Sequence, residues 1–386
     1  MKTQGRFKGK HILILEGYAR QCLPFMRSFK KHGCTVTVLC NSKMDLAYVS
    51  RYADNKIIGI CDPERYEESE KYICNLIKTG EFDLVLPLVD FSARILAENK
   101  EELSKYAIIA SNEKQVFEKA QDKLSVMKVC MENGIPCPKT FFDLAEEKLN
   151  DVELSYPVVV KPRRGCGAKG FHCFSSQNEL IEFLSNNAFE ENVVQEFIPS
   201  SKSVLAVNLF IDNNGVVKTS FTYACHRWFP LKGGTGTLNE LVDRPDAVKI
   251  CIDLVKILNL RGYIGVDLMD DPRDGIPKVI EVNPRILACA KIAFDGGVDF
   301  AEFILQDSFE AKVEERLDYD FGRRVRMSQT DILWFLKSPD RWRTNPSWFS
   351  IRKTKDQTFY WDDPLPWFAF GIKGFVNLKK EMKTRE

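Results

Sequence analysis

Residues 279–285 read Val-Ile-Glu-Val-Asn-Pro-Arg, and this stretch decides how the centre of the chain is interpreted. Side chains alternate faces along a β-strand, so Glu281, Asn283 and Arg285 are predicted to share one face. A second acid, Asp267, lies in the preceding strand-like segment. The Asp-rich residues 270–275 favour a turn between the two segments. We therefore predict a hairpin that brings two carboxylates, an amide and an arginine together.

These side chains have the chemistry of a nucleotide–metal site. Carboxylate and amide oxygens are hard ligands suited to Mg²⁺, which proteins usually hold with one or two carboxylates together with substrate phosphates. An arginine beside such a metal is suited to stabilising charge on a transferring phosphoryl group. The hairpin is therefore predicted to bind a metal and a nucleotide.

A glycine-rich segment upstream supports this interpretation. Residues 156–162 are predicted to form a buried strand that contains Lys161, residues 171–174 form another, and the loop between them has the spacing G-x-G-x-x-G. The dinucleotide fingerprint requires a helix after the glycines and a P-loop ends in Gly-Lys-Ser/Thr, and neither is present. The prediction is a hairpin flap whose backbone amides approach phosphate oxygens. The alternative is a loose basic hairpin without a ligand.

The order of these features resembles the ATP-grasp superfamily, in particular carbamoyl-phosphate-synthase large-chain-like proteins and carboxylate–amine ligases. The resemblance covers roughly residues 10 to 310. It implies an α/β and α+β chain, with an ATP-grasp fold that follows an N-terminal Rossmann-like (pre-ATP-grasp) parallel-sheet domain. It also implies that ATP phosphorylates a carboxylate to an acyl phosphate, which an amine or a similar nucleophile then attacks.

The resemblance implies a role for each matching residue. Asp267, Glu281 and Asn283 match the ligands of Mg²⁺, for which Mn²⁺ is the alternative, and Arg285 matches the arginine that contacts the transferring phosphoryl group. The residues that match the ATP-binding positions are Lys123, Lys161, Gly165, Cys166, Gly167, Gly170, Gln195, Glu196, Phe197 and Ile198. Two departures stand out. Ala168 replaces a frequent hydroxyl residue of the flap, and the segment after Ile198 lacks the acid that often holds the ribose.

A second arginine, Arg227, is predicted to act on the acceptor. It precedes a glycine–threonine loop at residues 233–237, between the flap and the metal strands. A guanidinium binds a carboxylate bidentately, so we expect Arg227 to pair with the acceptor carboxylate. The alternative is a surface salt bridge beside a flexible loop.

Composition limits the remaining classes. The 386 residues have a net charge of +1, which argues against nucleic-acid binding. No segment approaches the length of apolar sequence needed for a transmembrane helix, and the start of the chain lacks a signal-peptide core. Twelve scattered cysteines without a Cys-x-x-Cys pair, and four histidines without ligand spacing, argue against a zinc enzyme. We expect free thiols and a reducing cytoplasm.

The chain divides into four predicted regions. Residues 1–115 form the pre-ATP-grasp α/β domain, because strands and helices alternate there. Residues 116–198 form the first lobe with its flap, and 199–310 the second lobe with the metal site. Residues 311–386 are a Trp-rich basic extension, with 15 Lys/Arg against 9 Asp/Glu from Arg316 onward. We expect a cap packed across the lobes, and a membrane surface or protein partner as the alternative.

These features favour an ATP- and Mg²⁺-dependent ligase that forms a carbon–nitrogen bond between a small-molecule carboxylate and an amine, with a homodimer as a further expectation. Three rivals remain. They are a kinase-like ATP-grasp enzyme that stops at a phosphorylated product, an ATP-binding regulatory protein without turnover, and a structural subunit whose ligase partner lies elsewhere.

Overall fold

The structure, a computed structural model, describes residues 5–142, 154–165, 170–186, 191–199, 204–231, 234–310 and 312–383. Three β-sheets lie within these residues, with five, four and seven strands. They follow the chain from the N-terminal domain through the first lobe to the second lobe.

The N-terminal domain is built on a parallel sheet, as predicted. Its strands are β1 (His11–Ile14), β2 (Thr35–Cys40), β3 (Asn55–Ile58), β4 (Leu84–Leu86) and β5 (Ile108–Ile109), in the order β3-β2-β1-β4-β5. Its helices are α1 (Cys22–Lys31), α2 (Leu46–Val49), α3 (Tyr66–Ile77), α4 (Asp90–Glu98) and α5 (Lys100–Leu103), and a 3₁₀ turn spans Pro63–Arg65.

Successive side chains of β1 point to opposite faces of the sheet, and both faces are covered. Ile12 and Ile14 pack into one hydrophobic cluster, whereas Leu13 and Leu15 pack into another. Near-continuous apolar strands of this kind are typical of parallel sheets with helices on both sides.

The first lobe contains helices α6 (Lys114–Gln121), α7 (Lys123–Glu132) and α8 (Gln177–Asn186). Its strands are β6 (Thr140–Phe141), β7 (Val158–Pro162), β8 (His172–Phe174) and β9 (Asn192–Glu196), in the order β6-β9-β7-β8. Helix α7 begins where the Asp122 side chain accepts from the Leu124 amide at 3.1 Å, and it is followed by Gly134 at φ +67°. Strands β7 and β8 pair as the predicted antiparallel hairpin. Residues 166–169 at its tip lie outside the described residues.

The second lobe carries the largest sheet. Its strands are β10 (Val204–Ile211), β11 (Val217–Phe229), β12 (Thr235–Val242), β13 (Gly262–Asp270) and β14 (Pro277–Asn283), and its helices are α9 (Pro245–Ile257), α10 (Lys291–Asp295) and α11 (Phe300–Phe309). The structure corrects one sequence prediction here. Strand β11 continues to Phe229, and Thr235–Thr237 begin β12 instead of forming a loop, because the two strands pair through Trp228 and Phe229.

The C-terminal extension completes this sheet. Its elements are β15 (Arg324–Arg326), α12 (Ser328–Lys337), β16 (Thr354–Asp356) and α13 (Leu365–Lys383), and the sheet order is β14-β13-β10-β11-β12-β15-β16. Helix α13 also reaches the N-terminal domain, where Lys373 Nζ lies 2.6 Å from Asp45 Oδ1. No helix among the described residues has both the length and the apolar character that a membrane crossing requires.

A single hydrophobic cluster joins the N-terminal domain, the second lobe and the extension. It contains Ile12 of β1, Phe221 of β11, Phe300 of α11 and Val325 of β15. The second lobe and the N-terminal domain are therefore joined by packing.

Candidate active site

The predicted acidic hairpin is present and forms the floor of the site. Strands β13 and β14 are antiparallel with Asp267 opposite Glu281, and the register shifts directly after Asp267. Two features of the turn fix the hairpin: the Asp271 carbonyl accepts from the Gly275 amide at 2.7 Å, and Gly275 has φ +74°. Asn283 Nδ2 donates to Asp267 Oδ2 at 3.0 Å. The three predicted metal ligands are therefore neighbours.

The two carboxylates perturb each other. Burial, together with the charge of Glu281, raises the pKa of Asp267 well above its usual range. Burial opposes ionisation of Glu281 as well, but the nearby Lys123 and Lys161 ammonium groups and a hydrogen bond from Asp267 hold its pKa below the usual value. Without a cation the pair thus favours one shared proton. A divalent cation could replace that proton, so the donor set fits a metal such as Mg²⁺.

Two lysines converge on strand β14. Lys123, the first residue of α7, places Nζ 3.1 Å from Glu281 Oε2 and donates to the Gly165 carbonyl at 2.8 Å. Lys161, near the end of β7, donates to the Ile280 carbonyl at 3.1 Å. Burial lowers the pKa of Lys161 to about 8. The first lobe thus delivers two ammonium groups to the acidic hairpin of the second.

A cavity of roughly 470 Å³ lies above this floor. The predicted site residues that line it are Lys123, Lys161, Gly165, Asp267, Glu281, Asn283 and Arg285. Its volume is in the usual range for a small-molecule site.

Arg285 connects the hairpin to the N-terminal domain. Its Nε and Nη2 donate to Asp90 Oδ2 at 3.0 and 2.8 Å. Asp90 is the first residue of α4, and residues 87–89 connect it to the carboxyl end of β4. Burial opposes ionisation of Asp90, but the charge and the hydrogen bonds of Arg285 bring its pKa below the usual value. The guanidinium is therefore held in one orientation.

The predicted adenine-reading segment lies at the end of β9. Gln195 is buried and its Nε2 donates to Thr140 Oγ1 at 2.8 Å, while Glu196 accepts from the Lys139 amide at 2.8 Å. The Phe197 amide donates to the Pro157 carbonyl at 3.2 Å, and Ile198 is buried. The cavity lining as described does not include these four residues.

Among the flap glycines, Gly165 and Gly170 adopt φ +128° and +69°. Both values lie in the region that favours glycine, as expected for a tight hairpin loop. Cys166 and Gly167 lie outside the described residues, so their predicted contacts with phosphate stay predictions.

The predicted role of Arg227 needs correction. Its side chain is fully buried and forms a bidentate pair with Asp331 of α12, with Nε–Oδ1 at 3.0 Å and Nη2–Oδ2 at 3.2 Å. The guanidinium also lies 5.1 Å from the centre of the Trp334 ring. It does not line the cavity described above. Arg227 therefore anchors the extension and is not placed to bind an acceptor.

Several lining residues were not anticipated from the sequence. They are Arg20, Tyr223, Trp228, Asn239 and Cys289, from the β1–α1 turn, β11, β12 and the segment before α10. Arg20 follows the carboxyl end of a parallel strand, where open α/β sheets place ligands, and this signal could have identified it. Asn239 had a weaker signal, as a polar residue within an apolar strand.

A glycine-rich flap lobe, two lysines and an acidic hairpin around one cavity define a two-lobed, nucleotide-binding class of fold. Comparison with known families agrees. Residues 120–289 match the ATP-grasp domain family.

Curated relatives include the D-aspartate ligase of Enterococcus faecium, which is 26% identical over 268 residues, 63% of this chain and 60% of the relative. The D-alanine–D-alanine ligase A of Bacillus cereus is 26% identical over 219 residues, 50% of this chain and 69% of the relative. The chain thus spans 60% of the D-aspartate ligase it matches.

Solved structures share the fold over most of the chain. N5-carboxyaminoimidazole synthetase from Staphylococcus aureus, complexed with ADP, superposes with a TM-score of 0.65 at 18% identity, covering 83% of this chain and 82% of that one. The L-amino acid ligase from Bacillus licheniformis gives 0.59 at 20% identity, covering 80% and 75%. At these identities the similarity concerns the fold alone.

Proposed function

We propose that this protein is an ATP- and Mg²⁺-dependent ligase that activates a small-molecule carboxylate as an acyl phosphate and joins it to an amine. The observation that carries the proposal is the convergence of Lys123 and Lys161 on the Asp267–Glu281 pair inside one cavity. The names of the relatives, a D-aspartate ligase and a D-alanine–D-alanine ligase, support the same reaction class.

Each residue has a task in this reaction. Lys123 and Lys161 neutralise phosphate charge, and the flap amides approach phosphate oxygens. Asp267, Glu281 and Asn283 would hold Mg²⁺, with Mn²⁺ as the substitute, and the bound metal would offset the negative charge of the phosphates. Phosphoryl transfer depends on position and charge neutralisation, so the protein needs no nucleophile of its own.

Arg285 contributes at the transferring group. Its guanidinium is oriented by Asp90, and Arg285 lines the cavity together with Asn283. Charge on the phosphoryl oxygens grows or is redistributed in the transition state, so a preoriented cation stabilises that state more than bound ATP.

We propose that the acceptor binds beside Arg20 and Asn239 and not beside Arg227. Both side chains line the cavity that contains the acidic hairpin. A guanidinium and an amide are suited to a carboxylate or an amino acid, and the relatives direct the choice of test acids towards amino acids. We place the protein in the cytoplasm, where the eleven described cysteines would stay reduced, as all are free thiols.

The proposal is tested by measuring ADP release with a panel of D- and L-amino acids, hydroxy acids and bicarbonate. We expect release that depends on one class of carboxylate, and trapping of the activated acid by hydroxylamine as a hydroxamate. A stable phosphorylated product without hydroxamate would favour a kinase-like enzyme. Tight ATP binding without ADP release for any acid would favour a regulatory protein.

A further inference from the structure

An exposed apolar surface lies on the C-terminal extension, and its side chains are not among those that line the cavity. Four side chains of α12 and of the segment between α12 and β16 form it: Leu336, Trp342, Phe349 and Ile351, with exposed fractions of 63%, 69%, 58% and 78%. We call it the Trp342 patch. Large apolar side chains that are exposed together mark interaction surfaces more often than isolated ones do.

Aromatic packing holds the Trp342 patch in shape. The Trp342 and Phe349 rings stack with centres 5.9 Å apart and planes 20° apart. Phe335 of α12 lies beneath them, 5.1 Å from Trp342 and 4.5 Å from Trp348. The exposed rings are thus fixed by a partly buried support, so little ordering is needed when a partner binds.

The segment that carries the patch is strongly basic. Residues 332–355 contain six basic residues and one acid, Asp340, a net charge of +5; the basic ones are Lys337, Arg341, Arg343, Arg352, Lys353 and Lys355. Lys355 pairs with Asp295 at 2.7 Å. For the other five, no carboxylate among the described residues lies within 4.0 Å. Most of this positive charge is therefore available to an external partner.

We propose that the Trp342 patch docks on the surface of an anionic lipid bilayer. Tryptophan and other apolar side chains insert at the headgroup level, and surrounding Lys and Arg are attracted by anionic lipids. A second copy of the chain fits less well, because a twofold dimer through this patch would place the +5 segments of both copies against each other.

None of the four side chains of the patch lines the cavity. The patch extends from β15 and β16, at one edge of the seven-stranded sheet, whereas Asp267 and Glu281 lie on β13 and β14 at the other. Docking therefore goes beyond the proposed ligase reaction and does not depend on it. Variants of the patch should leave ADP release in solution unchanged.

The experiment is co-sedimentation of the full chain with vesicles of phosphatidylcholine alone or mixed with phosphatidylglycerol, at low and high salt. We expect binding to the mixed vesicles that weakens with salt. The triple variant Trp342→Ser/Phe349→Ser/Ile351→Ser should lose it. Arg343→Gln/Arg352→Gln/Lys353→Gln should weaken it on the order of a hundredfold, because each surface cation contributes about a factor of five.

Two matched controls separate the patch from general surface effects. Met44→Ser/Ile58→Ser/Ile257→Ser removes three other exposed apolar side chains, and Lys105→Gln/Lys114→Gln/Lys119→Gln removes three other exposed cations. Both should bind vesicles like the wild type, and thermal melting should show that every variant is folded.

Four outcomes would overturn the proposal. One is the absence of binding to mixed vesicles at low salt. Another is equal binding by the patch variants and the wild type. The third is a dimer, detected by sedimentation velocity, that the apolar triple variant abolishes, together with no binding of the wild type to vesicles. This result would assign the patch to a second copy of the chain. An acidic protein that binds the patch when vesicles do not would likewise exclude the bilayer.

Discussion

Glu281 is the residue on which the proposed reaction depends most directly, since it faces both Asp267 and Lys123. The variant Glu281→Gln keeps the side-chain shape and removes the charge. We expect ATP turnover to fall below detection while thermal melting changes little. The measurement is ADP release at saturating Mg²⁺, with Asp274→Asn, in the exposed turn of the same hairpin, as the control. Normal turnover in Glu281→Gln would show that Glu281 is not a ligand of the metal.

Arg285 and Asp90 provide a second test at the scale of single residues. Arg285→Ala should lower kcat tenfold or more, about 1.4 kcal/mol, with little change in ATP affinity. Asp90→Asn should lower kcat as well, because it releases the guanidinium that Asp90 orients. The two effects should be non-additive in the double variant. Additive losses would mean that Asp90 does not act through Arg285.

At the scale of elements, the pair Arg227–Asp331 joins β11 to α12 in a buried position. Removing one member of a buried pair leaves a charge without its counterion, which costs about 3–5 kcal/mol. Arg227→Met should therefore lower the free energy of unfolding by about 3 kcal/mol, since Thr237 and Arg326 still contact Asp331. Urea denaturation measures this change.

The double variant Arg227→Met/Asp331→Leu should recover part of the loss, because the unpaired carboxylate is also gone. In either variant, kcat and KM of the folded fraction should stay at the wild-type values. A selective rise in the KM for the acceptor would restore the role that the sequence suggested for Arg227.

Strands β12 and β15 are also joined through Glu240. Its Oε1 accepts from Arg324 Nη2 at 2.8 Å, and its Oε2 pairs with His226 Nε2 at 3.0 Å. The hydrogen bond with His226, together with Arg324, lowers the pKa of Glu240 from 4.5 to about 2. Its contribution to stability is full above pH 4.5 and is lost as the pH falls towards 2.

Between pH 6 and pH 3.5, protonation of Glu240 should lower the free energy of unfolding by at most about 1.4 kcal/mol. Urea midpoints at the two values measure it. The wild type should lose that much more stability than Glu240→Gln over the same interval. Parallel pH profiles for the two proteins would show that Glu240 is not responsible.

Elements with a local signal were predicted closely from the sequence. Strand β2 coincides with the apolar run at residues 35–40, and α7 lies between the capping residue Asp122 and Gly134; both are local signals in the sequence. The pairing of Asp267 with Glu281 followed from alternation and a turn between neighbouring strands. Arg227 was misjudged because its partner, Asp331, lies 104 residues away and has no local signal. Strands β15 and β16 have three residues each, too few to show a period.

At the scale of the whole molecule, the extension is part of the core. Val325 and Met327 are buried, and Trp334 packs on Arg227. Ending the chain after Glu310 would remove these three residues and expose the surfaces that they cover. The shortened chain should aggregate or have a much lower melting temperature. Ending it after Gly374 should preserve the fold, because Lys373 and its contact with Asp45 remain. Gel filtration and thermal melting distinguish the two, and a monomeric, stable chain ending at Glu310 would contradict the argument.

The order of strands in the large sheet has a consequence for how the protein behaves at high concentration. Without the extension, the eight-residue strand β12 would leave its outer amides and carbonyls unpaired, a template on which another chain could add a strand. The extension moves that boundary out to β16, which is only three residues long and carries the exposed Lys355. A short, charged last strand gives a neighbouring molecule little to pair with. The same segment that helps to build the core therefore also stops the sheet from growing between molecules.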